Sequence, residues 1–136
     1  MVRPIIRDTF LLSQKSADAT PADLDAVRDL YDTLDAHRDN CAGMAGNMIG
    51  VLRRIVAVRD GEKILVFLNP EILKGEGPYR AEEGCLSLGG TRETLRYRRI
   101  KLRWQDEAFR VRIRVFEGFT AQAIQHEIDH CNGILI

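Results

Sequence analysis

Cysteine is scarce in this chain: three residues among 136, at positions 41, 85 and 131. An odd, widely spaced set is no disulfide framework and fits a reducing compartment, so a cytoplasmic location is expected. Net charge is also missing, with Lys+Arg and Asp+Glu both 20. That balance gives no electrostatic footprint for nucleic acid or an anionic membrane. The densest basic stretch, RETLRYRRIKLR, reads as the solvated face of a strand. No apolar run approaches the roughly 20 residues of a membrane span. The opening MVRPIIRDTFLLSQKS has neither a long apolar core nor a small-residue cleavage site, so no secretory signal is expected. Histidine is as rare as cysteine.

What is present describes one domain over residues 1–136. The hydrophobic fraction of 45% is globular in character. Thr20-Pro21-Ala22-Asp23 predicts a helix start, with Thr20 as cap and Pro21 in the first turn. Leu24, Val27, Leu30, Tyr31 and Leu34 continue at helical spacing to about His37, which is read as a surface residue. VLRRIVAV and KILVFLNP flank Asp60-Gly61, a hairpin signal. KGEGPYRAEEG reads as a loop on its glycines and proline. Ile100, Leu102 and Trp104, then Phe109, Val111, Ile113 and Val115, alternate as two half-buried antiparallel strands turning at QDEA. Thr120 is expected to cap a last helix that Asn132-Gly133 ends. The fold class is therefore α+β, with antiparallel β-sheets packed around a buried C-terminal helix.

That helix carries the most informative letters, QHEIDH. His126 and His130 are four apart, so they stack on one helix face and aim two imidazoles at one point. Glu127 projects about 100° further round, beside a metal held by the pair. A metal lowers the pKa of its water toward about 7, and a carboxylate there can accept the proton. H-E-x-x-H thus combines two ligands with a base. The six residues after His130 contain no histidine or carboxylate side chain, and Cys131 points to another helix face. A third ligand comes from upstream or from the C-terminal carboxylate. The thiolate of Cys85, in EEGCLSLGG, is the strongest candidate. One Cys and two His leave a fourth position open for water, as catalysis requires.

EEGCLS followed by QHEIDH, with GMAGNMIG and LNPEI upstream, resembles the peptide deformylase family over most of the chain. The resemblance implies a metal-dependent hydrolase that removes the N-formyl group from the initiator methionine of new polypeptides. It implies Cys85, His126 and His130 as ligands to one divalent metal, usually Fe(II), with Zn, Ni or Co as substitutes. It implies Glu127 as acid/base, the Leu86 backbone N–H as an oxyanion donor, Gly43 along the bound peptide and Arg92 near the substrate pocket. Ala42 and Ala123 would border the methionine side chain. The expected partner is an N-formylmethionyl peptide or a similar small N-acyl substrate, with no direct nucleic acid and no membrane.

Three positions depart from the family's first motif: Cys41 replaces its opening glycine, Gly46 its second alanine and Met48 its glutamine. Where the family's first motif has a glutamine that donates to the oxyanion, this chain has Met48, which carries no N–H. Asn47 has suitable chemistry but is expected to point elsewhere. Weakened deformylation follows, or a metal amidase for another N-acyl group, or a non-catalytic protein that holds peptide N-termini. Glu127 is needed only for catalysis and favours an enzyme.

Overall fold

A computed structural model describes all 136 residues. Five strands form one antiparallel sheet in chain order: β1 (Gly43–Ala45), β2 (Ile55–Asp60), β3 (Lys63–Gly84), β4 (Thr91–Gln105) and β5 (Val111–Glu117). A short helix, α1 (Thr9–Leu12), and α2 (Leu24–Ala36) precede the sheet, and α3 (Gly118–Cys131) follows it. The expected α+β class, the helix to residue 36 and the Asp60-Gly61 hairpin are all present. Gly61 has φ +64°, the left-handed conformation the tight turn requires.

β2 shows why the sheet lies between two layers. Ile55 and Ala57 pack with Val27, Leu30 and Leu34 of α2 and with Met44, Met48 and Leu68. Val56 and Val58, pointing the other way, pack with Ala121, Ala123, Ile124 and Ile128 of α3. All four are fully buried, so the period-two alternation of a strand here separates two cores rather than core from water. Phe67, Trp104 and Phe116 strengthen the α3 side, with ring centroids 5.0 to 5.8 Å apart. Such pairs add about 0.5–1.5 kcal/mol each beyond area burial. Arg59 ties the end of α2 to the sheet, its Nη2 donating to the Leu34 carbonyl at 3.0 Å.

Three local expectations are corrected. Residues 74–84 are not a loop. They pair with β4 from Lys74↔Lys101 to Gly84↔Thr91, so β3 and β4 make one long ribbon. A bulge between Ile72 and Lys74 and a left-handed Gly77 absorb the irregularity. Gly75 lies under the Tyr97 ring, where a Cβ would come within 2.6 Å of it. Second, Val111, Ile113 and Val115 face solvent, because α3 covers the opposite face and β5 buries only Phe116. Third, Thr120 lies inside α3, its hydroxyl donating to Asp60 Oδ1 at 3.0 Å, and Glu117 is the N-cap. Thr20 is the N-cap before Pro21 as expected, and the Asp23 carboxylate accepts from the Thr20 N–H at 2.8 Å. Asn132 and the left-handed Gly133 end α3 as expected.

Candidate metal centre

α3 is buried over most of its length, so its polar residues are held by packing rather than by water. His126 and His130 turn toward each other with their Nε2 atoms 3.1 Å apart. Cys85 enters from the turn just beyond β3, its Sγ 3.4 Å from His130 Nε2. The three ligand atoms all lie within 4.8 Å of one another. The turn is closed by the Leu88 N–H donating to the Cys85 carbonyl at 3.2 Å. Sequence reasoning thus grouped three residues that the fold does bring together.

The donor set can be tested for fit through its tautomers. His126 Nδ1 lies 2.8 Å from Glu83 Oε1. Burial raises the pKa of Glu83, but hydrogen bonds from His126, Arg96 and Gln122 outweigh it and hold the carboxyl down at about 2. Glu83 is therefore an acceptor, His126 carries a proton on Nδ1, and Nε2 is the atom presented to a ligand. A carboxylate behind a histidine in this way is the usual outer support of a metal ligand. Burial drives His130 down to about 3, helped by the charge of His126, so its ring is neutral. His126 behaves oppositely. Burial lowers it, yet the Glu127 charge and the Cys85 and Glu83 contacts lift it to about 10. Two facing ring nitrogens and a thiol share one small space that calls for a positive charge, and a divalent cation fits it.

Arg96 anchors this arrangement from β4. It is 3% exposed and binds Glu83 through Nε and Nη2 and Asp129 of α3 through Nη1, at 2.7 Å for the two closest contacts. Gln125 adds a second tie, accepting from the Tyr97 N–H and donating to the Tyr97 carbonyl, both at 2.8 Å. It takes the place a strand neighbour would occupy, since β5 pairs with β4 only from Arg99 onward.

Glu127 is 4% exposed, and its Oε1 has no hydrogen-bond partner. Burial raises it to about 7 despite the nearby His126 charge. Its carboxylate lies against Gly43 of β1, where a Cβ would sit 3.0 Å from Oε2. Any larger residue there would press on the Glu127 side chain.

These groups open into a cavity of about 550 Å³. Gly43, Met48, Leu86, Ala42 and Ala123 line it with Cys85, His126 and Glu127. The Leu86 N–H makes no hydrogen bond within the protein, while its carbonyl accepts from Arg7 at 3.0 Å. Met48 is buried, with its sulfur 3.5 Å from the Ala45 N–H. Asn47 turns away, donating to the His130 carbonyl at 2.9 Å. Arg92 is not among the lining residues and donates instead to the Gly89 carbonyl at 3.3 Å. Sequence reading missed Glu83, Arg96 and Gln122. Glu83 had a signal, since it precedes Cys85 by two in an extended segment and shares its side. Arg96 had none.

The family model for polypeptide deformylase matches residues 4–136. The chain belongs to the polypeptide deformylase family. The peptide deformylase of Clostridium beijerinckii is 49% identical over 136 residues, covering the whole of both chains. A Met-Ala-Ser-bound peptide deformylase from Acinetobacter baumannii superposes with a TM-score of 0.87 at 28% identity, covering 99% of this chain and 97% of that one. The peptide deformylase of Thermotoga maritima gives 0.88 at 28% identity, covering 99% and 94%. Deformylases are metallohydrolases that remove the N-formyl group from nascent peptides, acting on peptide substrates with a single divalent metal. No helix of this deformylase-family chain is long and apolar enough to cross a membrane.

Proposed function

We propose that residues 1–136 act as one domain that hydrolyses the formamide of N-formylmethionyl peptides in the cytoplasm. Cys85, His126 and His130 hold the cation, Fe(II) in the cell, with Zn, Ni or Co able to replace it. The single observation that carries this reading is the convergence of Cys85 Sγ and two Nε2 atoms beside a buried, unpartnered carboxylate. When bound, the cation supplies a Lewis acid that acidifies water and polarises the formyl oxygen.

The chain's own residues do the rest. Glu127 takes the proton from water and returns it to the amine nitrogen as the C–N bond breaks, giving formate and a free N-terminus. Its burial keeps it close to the pH at which both transfers are easy. Leu86 donates its free N–H to the oxygen that gains charge. Gly43 lets the peptide backbone pass close to Glu127. Glu83 keeps the proton on His126 Nδ1, so the other ring nitrogen stays available. Met48 offers no donor, which weakens stabilisation of the oxyanion. Arg92 lies outside the cavity and has no part in these steps.

Protein purified anaerobically and loaded with Fe(II) should release formate from formyl-Met-Ala-Ser. Glu127→Ala should abolish release while metal content persists. Release that survives in Glu127→Ala would remove this residue from the reaction. No release from the loaded wild type, with peptide still bound, would leave a binding protein instead.

A further inference from the structure

Gln122 lies one helical turn before His126 and lines the same cavity. Gln122 thus stands within reach of the first side chain of a peptide whose formyl carbon sits at the ligand cluster. That placement rests on the reading under Proposed function. Gln122 Nε2 donates to Glu83 Oε2 at 2.8 Å. Glu83 Oε1 and Oε2 also accept from Arg96 Nη2 and Nε, so the carboxylate is met by donors and the amide has one orientation, nitrogen toward Glu83 and Oε1 away. Oε1 makes no hydrogen bond within the protein. Ala42, Ala123, Phe119 and Glu82 line the same cavity. No lysine or arginine lines the cavity, whereas Glu82, Glu83 and Glu127 do. With the Asn40 amide as the one lining side-chain amide donor besides Gln122 itself, the glutamates and Gln122 Oε1 make this wall rich in acceptors.

We infer that Gln122 is a specificity-determining residue, and that the cavity takes a first side chain that is unbranched and ends in an N–H donor, as glutamine does, about as well as methionine. The two side chains are of similar length, and neither is branched at Cβ. A thioether cannot donate to Gln122 Oε1, so entry of methionine strips water from that acceptor and returns nothing. An amide restores the hydrogen bond. The usual advantage of an apolar side chain in such a pocket is thereby offset.

The test compares metal-loaded full-length protein with Met-Ala-Ser and Gln-Ala-Ser, by competition binding, and with their formylated forms, by formate release. The wild type should bind the two peptides within about threefold of each other, and Gln122→Leu should shift the ratio toward methionine by about tenfold at unchanged metal content. A wild type that binds Gln-Ala-Ser about 100-fold more weakly overturns the inference. So does an unchanged ratio in Gln122→Leu, or failure of both peptides to bind. Absence of formate release, with the predicted binding ratios intact, overturns the proposed activity and leaves the role of Gln122 standing.

Discussion

A thioether at position 48 stands where the family pattern supplies a hydrogen-bond donor. Met48 is 1% exposed and lines the cavity, so a glutamine there would be held close to the reacting oxygen. Losing one oxyanion donor typically costs about 100- to 1,000-fold in rate. Met48→Gln should therefore raise kcat/KM for formyl-Met-Ala-Ser by about tenfold or more, the gain falling mainly on kcat. An unchanged value would mean that another group already fills the donor's place. Single residues were legible in the sequence when a local rule fixed their direction. His126 and His130 share a face because a helix has 3.6 residues per turn, and Glu127 follows from the same geometry. Cys85 needed more, since no local spacing joins it to His126, 41 positions further on. Gln122 was hidden because its meaning depends on Glu83, which lies on another element.

The elements meet at the buried Glu83–Arg96–Asp129 chain, which joins β3, β4 and α3 behind the ligands. Removing one partner from such a pair typically costs about 3–5 kcal/mol. The chain also sets a pH limit. Glu83 falls from 4.5 in the unfolded chain to about 2 when folded, because the hydrogen bonds from His126, Arg96 and Gln122 exceed the burial penalty. A depressed acid stabilises the fold above its unfolded value and ceases to do so as pH falls through the folded value. The contribution is roughly 3 kcal/mol at neutral pH. Metal-free protein should thus lose stability steeply between about pH 4.5 and 2, as followed by urea unfolding. Glu83→Gln should be less stable at neutral pH and show a flatter acid limb; equal slopes would place the acid sensitivity elsewhere. At this scale the sequence was legible for α2, β2 and α3, whose apolar periods are strong. It misled over residues 74–84, because glycine and proline weaken a strand signal that the pairing with β4 overrides. It misled again over β5, where alternation was real but the apolar side faces water. Nothing local says which face a second layer will cover.

For the molecule as a whole, the sheet is a partition with α2 on one face and α3 on the other, and the ligands gather where β3 ends beside α3. The α+β class followed from element types, and the family from two motifs far apart in sequence. The cavity did not, because it is made of Ala42, Gly43, Ala123 and other residues with no individual signature. The central claim is that one sulfur and two ring nitrogens hold a single cation. X-ray absorption at the iron edge of anaerobically Fe(II)-loaded protein tests it most directly. The expected result is one iron per chain with one sulfur and two histidine nitrogens in its inner shell, the sulfur contribution vanishing in Cys85→Ser. A shell without sulfur in the wild type, or one unchanged in Cys85→Ser, would contradict it.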